Sequence, residues 1–354
     1  MNRVILKAGE LDGYLTNNDI EYLKTLDSLY NKAIDIFPEI KNGKKDSTDN
    51  LCAIYSEIEA IIQEICIKNP GIHVYSFSSP KENHCEASRI IAKLRDVNTD
   101  TNEFIYYIQR AYELLYKLTW TNSVFCSDLP KNNFIVKTPV TYPVQNYAVH
   151  KIVNIDNITS NSVMCVMLRG ALLPSMIISK EIEDYSSNGF ITPFNLFRIY
   201  RNDKKEENNM EYILDLDKSF INFDSLNNKD LIFADPMNAT GGSLVTIIKY
   251  LLSIGIKPRS IKFINIISAL KGAFRVIRAL ENCDIYTLWM DSVLNKDAYI
   301  MPGLGDAGDR INGCDDELNP RDTIQLLAGY GNSITNLYRS QFREIENTVL
   351  GRNK

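Results

Sequence analysis

The sequence predicts an α/β protein, with a doubly wound, mostly parallel sheet and helices on both faces. A helical N-terminal extension and a C-terminal helical tail flank it. Three observations carry this prediction. Short apolar runs such as VMCVMLR (163–169), LIFA (231–234) and SIKFINII (260–267) lack the polar alternation of a half-exposed strand. Helical patterns alternate with these runs, as in βαβ units. Loops rich in glycine and acids follow the run at 231–234 and the last one, DIYTLWM (284–290), where open α/β sheets bind ligands.

Taken in order, residues 1–80 read as an extension. DIEYLKTLDSLYNKAIDI (19–36) spaces Ile20, Leu23, Leu26, Tyr30 and Ala33 for one helix face. A polar loop (41–50) precedes a second helix in LCAIYSEIEAIIQEICI, capped by Asp49 or Asn50. Pro70-Gly71 interrupts the pattern, and SFSSPKENH (76–84) reads as a linker. The main unit is expected over 83–313. It begins with a helix at 103–120 and a Pro/Asn-rich loop. Strand 163–169, helix 171–182 and strand 194–201 follow, then a charged insert (202–212). The final series is strand 231–234, helix 244–254, strand 260–267, helix 271–280 and strand 284–290. A tail over 314–354 carries helical periodicity from Asn319-Pro320 onward, broken near Gly329 and Gly331, and suits docking or oligomerisation.

Bulk properties narrow the function classes. The chain has 354 residues, 45% apolar and 23% charged, as expected of a soluble globular protein. Its net charge of −5 argues against broad nucleic-acid binding. Seven scattered cysteines without a Cys-x-x-Cys pair suit reduced thiols rather than a disulfide framework or a zinc site. No run is long enough for a membrane span or a signal-peptide core, so a cytoplasmic location is expected.

DPMNATGGS (235–243) links the run LIFA to a helix. A turn at a helix N-terminus presents unpaired N–H groups in a positive potential, a ready seat for phosphate. Gly241 and Gly242 let the chain approach phosphate oxygens closely, and Thr240 and Ser243 supply hydroxyls. No Gly-Lys-Ser/Thr follows the glycines and no Gly-x-Gly-x-x-Gly is present, which excludes an ATP-type loop and a dinucleotide fingerprint. Asp235 at the head of the turn suits a sugar phosphate, because it can accept bonds from hydroxyls. A plain turn with Ser243 as helix cap is the competing reading. The second loop, YIMPGLGDAGDRING (299–313), packs four glycines and a proline into an irregular segment after the last predicted strand. Its backbone groups could read a planar base, with Tyr299 or Ile300 against the ring. A stabilising surface loop is the alternative.

Together these residues resemble the uracil phosphoribosyltransferase family, with the two loops in the family's order and at similar spacing. DPMNATGGS is similar to its phosphoribosyl pyrophosphate (PRPP) loop, with Asn238 where leucine is usual. YIMPGLGDAGDRING is similar to its uracil loop, with Asn312 where an aromatic is usual. LRDVNTDTNEF (94–104), MLRGALLPS (167–175) and RIYRNDKKEE (198–207) are weaker echoes, and the resemblance spans about 83–313.

The resemblance implies UMP synthesis from uracil and PRPP, a pyrimidine salvage step, by a homo-oligomer (dimer or tetramer) with no nucleic-acid or membrane partner. It places PRPP on Asp235, Pro236, Met237, Asn238, Ala239, Thr240, Gly241, Gly242 and Ser243. Asp235 takes the ribose hydroxyls, and residues 239–243 take the 5′-phosphate. Arg169 and Arg201 are implied on the pyrophosphate, joining Asp235 as catalytic residues; permanently charged planar forks suit phosphate oxygens. Tyr299, Ile300, Gly305, Asp306 and Ala307 are implied around uracil, with Asp306 also near PRPP. Mg²⁺ is the implied cofactor, held by pyrophosphate oxygens and water rather than by a protein cage. The family's Arg-Ala-Gly is Arg169-Gly170-Ala171 here. That change motivates the alternative of a PRPP- or nucleotide-binding sensor or regulator with impaired turnover.

Overall fold

The computed structural model describes residues 2–41, 45–78, 81–120, 130–140, 142, 144, 146–313 and 339–352. Its strands are β1 (Arg3–Lys7), β2 (Ile72–Val74), β3 (Lys131–Lys137), β4 (Tyr147–Val153), β5 (Ser162–Leu168), β6 (Phe194–Arg201), β7 (Glu211–Phe220), β8 (Asp230–Ala234), β9 (Met237–Asn238), β10 (Ser260–Ala269), β11 (Cys283–Asp291), β12 (Val293–Leu294) and β13 (Ile300–Met301). Its helices are α1 (Ala8–Asp12), α2 (Asn17–Lys41), α3 (Lys45–Lys68), α4 (Tyr75–Ser78), α5 (Lys81–Arg95), α6 (Thr101–Trp120), α7 (Asp156–Thr159), α8 (Leu172–Tyr185), α9 (Gly242–Ser253), α10 (Leu270–Ala279), α11 (Ala307–Asn312) and α12 (Arg339–Val349).

The large sheet runs β1-β7-β6-β5-β8-β10-β11-β2, with β9 paired to β10. From β6 to β2 all neighbours are parallel, whereas β7 joins β6 and β1 joins β7 antiparallel. Every residue of β5 and β8 is buried, which is why these strands read as unbroken apolar runs. Helices α5, α6 and α8 cover one face of the sheet, and α9 and α10 cover the other, with α1 and α2 against α10. The expected α/β architecture, with its helical extension and a helical tail element, is the one observed.

The extension does more than add helices. Its strands β1 and β2 are the two outer edges of the sheet. Helix α2 begins at a reciprocal cap, in which Thr16 Oγ1 accepts from Asp19 N and Asp19 Oδ2 accepts from Thr16 N. Residues 81–84, expected in a linker, open helix α5 instead. Strand β7 starts within the end of the charged insert and is not anticipated, because only part of it is buried and its sequence shows no long apolar run. The hairpin β3–β4 was likewise missed: its residues are mostly exposed. In the tail, α12 packs on α8 and β6. The expected helix start at 319–320 and the Gly329 and Gly331 break lie outside the described residues, as does most of the loop after 120. No described helix is long and apolar enough to cross a membrane, and the five described cysteines are free.

Candidate functional site

The chain winds from β5 to β6 on one side and from β8 through β10 to β11 on the other, so the winding reverses between β5 and β8. Open sheets form a crevice beyond the carboxyl ends of their strands at such a switch point. A cavity of about 230 Å³ lies there. Arg169 follows β5, Arg201 ends β6, Asp235 follows β8, and the 299–313 loop closes the far wall; all of these segments line the cavity. Of the residues anticipated from sequence, only Gly242 does not line it.

Gly242 has a different task. A Cβ built on it would sit 2.2 Å from the Tyr212 ring, so the turn rests directly on an aromatic from β7. Gly241 takes φ +73° and is the N-cap of α9, with no side chain capping the helix. Ser243 lines the cavity without serving as that cap. The first-turn N–H groups, which lack intrahelical partners, therefore have no side-chain cap competing for them. On the other side of the turn, Gly272 of α10 approaches so closely that a Cβ would meet the Ala239 carbonyl at 2.4 Å. Thr240 is buried, and burial also raises the pKa of the Tyr212 hydroxyl beneath the turn. Asn238 is buried too: its Nδ2 donates to Ser268 Oγ at 2.9 Å, while its Oδ1 has no partner among the described residues.

Asp235 carries the main electrostatic feature. Burial pushes its carboxyl up to about 7, and the charge of Asp306 across the cavity adds to the rise. The Met237 N–H, which Oδ1 accepts at 3.0 Å, and the charge of Arg201 work the other way. Asp306 is the N-cap of α11 and accepts from Asp309 N at 2.9 Å. Two carboxylates thus face one cavity.

The two arginines are already engaged. Arg169 donates to the Gly313 carbonyl and to Asp309 Oδ1, each at 2.6 Å, tying the loop after β5 to the end of the 299–313 loop. Arg201 donates to the Ala298 carbonyl at 3.2 Å and lies 5.6 Å over the Tyr299 ring. This seats Tyr299 against an arginine and leaves Ile300, in β13, as a buried wall residue.

Distant side chains hold the 299–313 loop. Gly303 has φ +63° and donates its N–H to buried Asp291 Oδ2 at 2.9 Å. Arg95 of α5 binds the other oxygen of Asp291. Burial raises the Asp291 carboxyl, against the opposing charge of Arg95. Arg310 donates to the carbonyls of Leu94 and Leu304 and stacks 4.0 Å from the Phe104 ring. Tyr212, Asp291 and Arg95 were not singled out from sequence. Arg310 lies within the 299–313 loop and Arg95 within 94–104, but neither segment's sequence points to its arginine's partner. None of the four carries a local signal, because each acts through a partner remote in the chain. His73 stacks on Tyr286 at the sheet edge and does not line the cavity.

The fold and site together define an α/β protein with an acid-led turn at the switch point of its sheet. The model of the uracil phosphoribosyltransferase family matches residues 190–314. A uracil phosphoribosyltransferase of Ligilactobacillus salivarius is 30% identical over 221 residues, 62% of this chain and 90% of that one. One from Dictyoglomus turgidum is 32% identical over 229 residues, 63% of this chain and 93% of that one. The chain belongs to the uracil phosphoribosyltransferase family. Among solved structures, a protein of Aquifex aeolicus aligns with a TM-score of 0.45 at 21% identity, over 65% of this chain and 95% of the other.

Proposed function

We propose that the protein transfers a phosphoribosyl group from PRPP to uracil, giving UMP and pyrophosphate. One observation carries the reading: a single switch-point cavity gathers the phosphate-type turn, the 299–313 loop, two acids and two arginines. In the reaction, uracil N1 bonds to the ribose anomeric carbon as the bond from that carbon to pyrophosphate breaks, and the N1 proton passes to the departing pyrophosphate or to water. The protein forms no covalent intermediate. It aligns the reactants and stabilises charge on an oxocarbenium-like state.

In this reading the 239–243 turn seats the 5′-phosphate and Asp235 accepts from the ribose hydroxyls. Arg169 and Arg201 turn toward the pyrophosphate, and the backbone from Ile300 to Ala307 frames uracil. Among the described residues no group of three or more histidine, cysteine and acidic side chains is placed to hold a metal. The facing carboxylates of Asp235 and Asp306 still fit a cation carried in on phosphate oxygens, because the charge of Asp306 raises the cost of ionising Asp235. When bound, Mg²⁺ neutralises charge on the departing pyrophosphate.

The test mixes purified protein, Mg²⁺ and PRPP with each nucleobase in turn and measures nucleotide and pyrophosphate. UMP is expected with uracil alone; its absence at any protein concentration sinks the catalytic reading. One observation favours a second reading, a PRPP- or nucleotide-binding sensor. Arg169 is held by Asp309 and Gly313, away from a purely phosphate-facing role. That reading expects heat of PRPP binding without product.

A further inference from the structure

The side chain of Arg275, in α10, is completely buried, and the reaction outlined above leaves it without a task. Its Nε and Nη2 both donate to Asp12 Oδ1, at 2.9 and 2.6 Å. Its Nη1 lies 2.8 Å from Glu207 Oε1 and makes a long, 3.5 Å contact with the Thr240 carbonyl of the phosphate turn. Lys271, one turn earlier, bridges Glu207 at 2.7 Å and faces Asp12 at 3.8 Å. Between these two cations, Gly272 presses on the Ala239 carbonyl. The underside of the turn is thus set by how α10 sits, and α10 is anchored by acids from two other segments.

Those segments differ in origin. Thr240, Glu207 and Arg275 lie within the part of the chain that matches the family model, residues 190–314, whereas Asp12 lies outside it. Asp12 ends α1, which is pinned to the 207–210 turn through Ala8 N and the Met210 carbonyl at 2.9 Å. A buried guanidinium left with one carboxylate in place of two is costly, so Arg275 depends on the extension for half of its charge partners.

We infer that Asp12 is a positioning residue for the phosphate turn: through Arg275 the N-terminal extension sets the affinity for the ribose 5′-phosphate end of PRPP. The inference rests on the proposed PRPP site, but it has a readout independent of turnover. Asp12 is about one-third exposed, so D12N leaves no cavity, and it keeps the side-chain shape while removing the charge.

The experiment compares wild type, D12N, D12E, R275M and the double variant D12N/R275M. Amide exchange at 239–243 is followed without ligand, and PRPP binding is measured by calorimetry. D12N is expected to speed exchange in the turn and weaken PRPP binding about tenfold, within the usual range for coupled sites. D12E should recover most of both, the double variant should be no worse than R275M alone, and KM for uracil should stay within twofold of wild type, about the scatter of an uncoupled site. Unchanged exchange and PRPP affinity in D12N, or equal losses for both substrates, overturns the inference. Failure of the proposed activity shows separately, as wild-type protein that makes no UMP while the exchange difference at 239–243 persists.

Discussion

The two walls of the cavity are built on opposite principles. The phosphate turn is fixed by missing side chains: Gly242 on the Tyr212 ring and Gly272 on the Ala239 carbonyl, with Gly241 in a left-handed conformation. The 299–313 loop is fixed by side chains that arrive from elsewhere, with Asp291 and Arg95 at Gly303 and Arg310 reaching back to Leu94. The first design is rigid and intolerant of any added atom. The second is a set of charged bonds that can be loosened singly. Substitutions on the phosphate wall should therefore damage all functions together, and those on the base wall should separate base binding from PRPP binding.

The largest expected effect breaks the first wall. Gly242→Ala places a methyl inside the Tyr212 ring, and the turn must shift to make room. A displacement of about 1 Å from productive geometry costs about 100-fold in rate, so kcat/KM should fall by that order. Overpacking should also cost about 1–3 kcal/mol, seen as a lower Tm. Tyr212→Leu in the G242A background should recover part of both losses. Independent, additive losses would show that the ring and the glycine are not coupled.

Asp235→Asn comes next and separates binding chemistry from stability. A lost charged hydrogen-bond acceptor should cost about 10- to 100-fold in PRPP affinity. Stability should move the other way, with a sign fixed by the raised carboxyl. Its folded pKa of about 7 lies above the ordinary carboxylate range, so the fold favours the protonated form. Stability is therefore lost as pH rises from that range through about 7, and Asn, which cannot ionise, escapes the loss. The Tm of D235N should exceed wild type at pH 8 and converge with it near pH 4. A Tm gap that is widest at pH 4 would contradict the assigned protonation.

Asp291→Asn tests the second wall. It weakens both the Arg95 ion pair and the acceptor for Gly303 N–H, without touching the phosphate turn. KM for uracil should rise about tenfold, the scale of one charged hydrogen bond, while PRPP affinity stays near wild type. Equal damage to both substrates would erase the distinction between the walls.

The same contrast explains what could be read from sequence. The phosphate turn lies in nine consecutive residues after a buried strand, and β5 and β8 are apolar almost throughout, so local composition exposes them. Strand β7 is buried only in part, and Tyr212 sits at the end of the charged insert. Arg95 meets Asp291 across 196 positions and Arg275 meets Asp12 across 263; no window of sequence joins such pairs. The edge strands β1 and β2 were missed for a related reason. Five and three residues long, they gain their identity only from the neighbour they pair with.

The smallest expected effect falls on Asn238, where the family usually has leucine. The two side chains branch alike, so Asn238→Leu keeps the shape and removes a buried amide with one unpaired oxygen. Removing an unsatisfied buried acceptor returns about 1–3 kcal/mol, and the lost Ser268 hydrogen bond takes back about 1 kcal/mol. Ser268 Oγ keeps a weak 3.3 Å contact with the Ala269 carbonyl, which limits that loss. The net gain should be about 1 kcal/mol, read as a Tm rise of about 2–4 °C for a unit of this size. Because Asn238 also lines the cavity, the sign is informative. If N238L lowers both Tm and PRPP affinity, its free oxygen is part of the ligand's seat, and the phosphate wall would then hold one side-chain contact among its backbone ones.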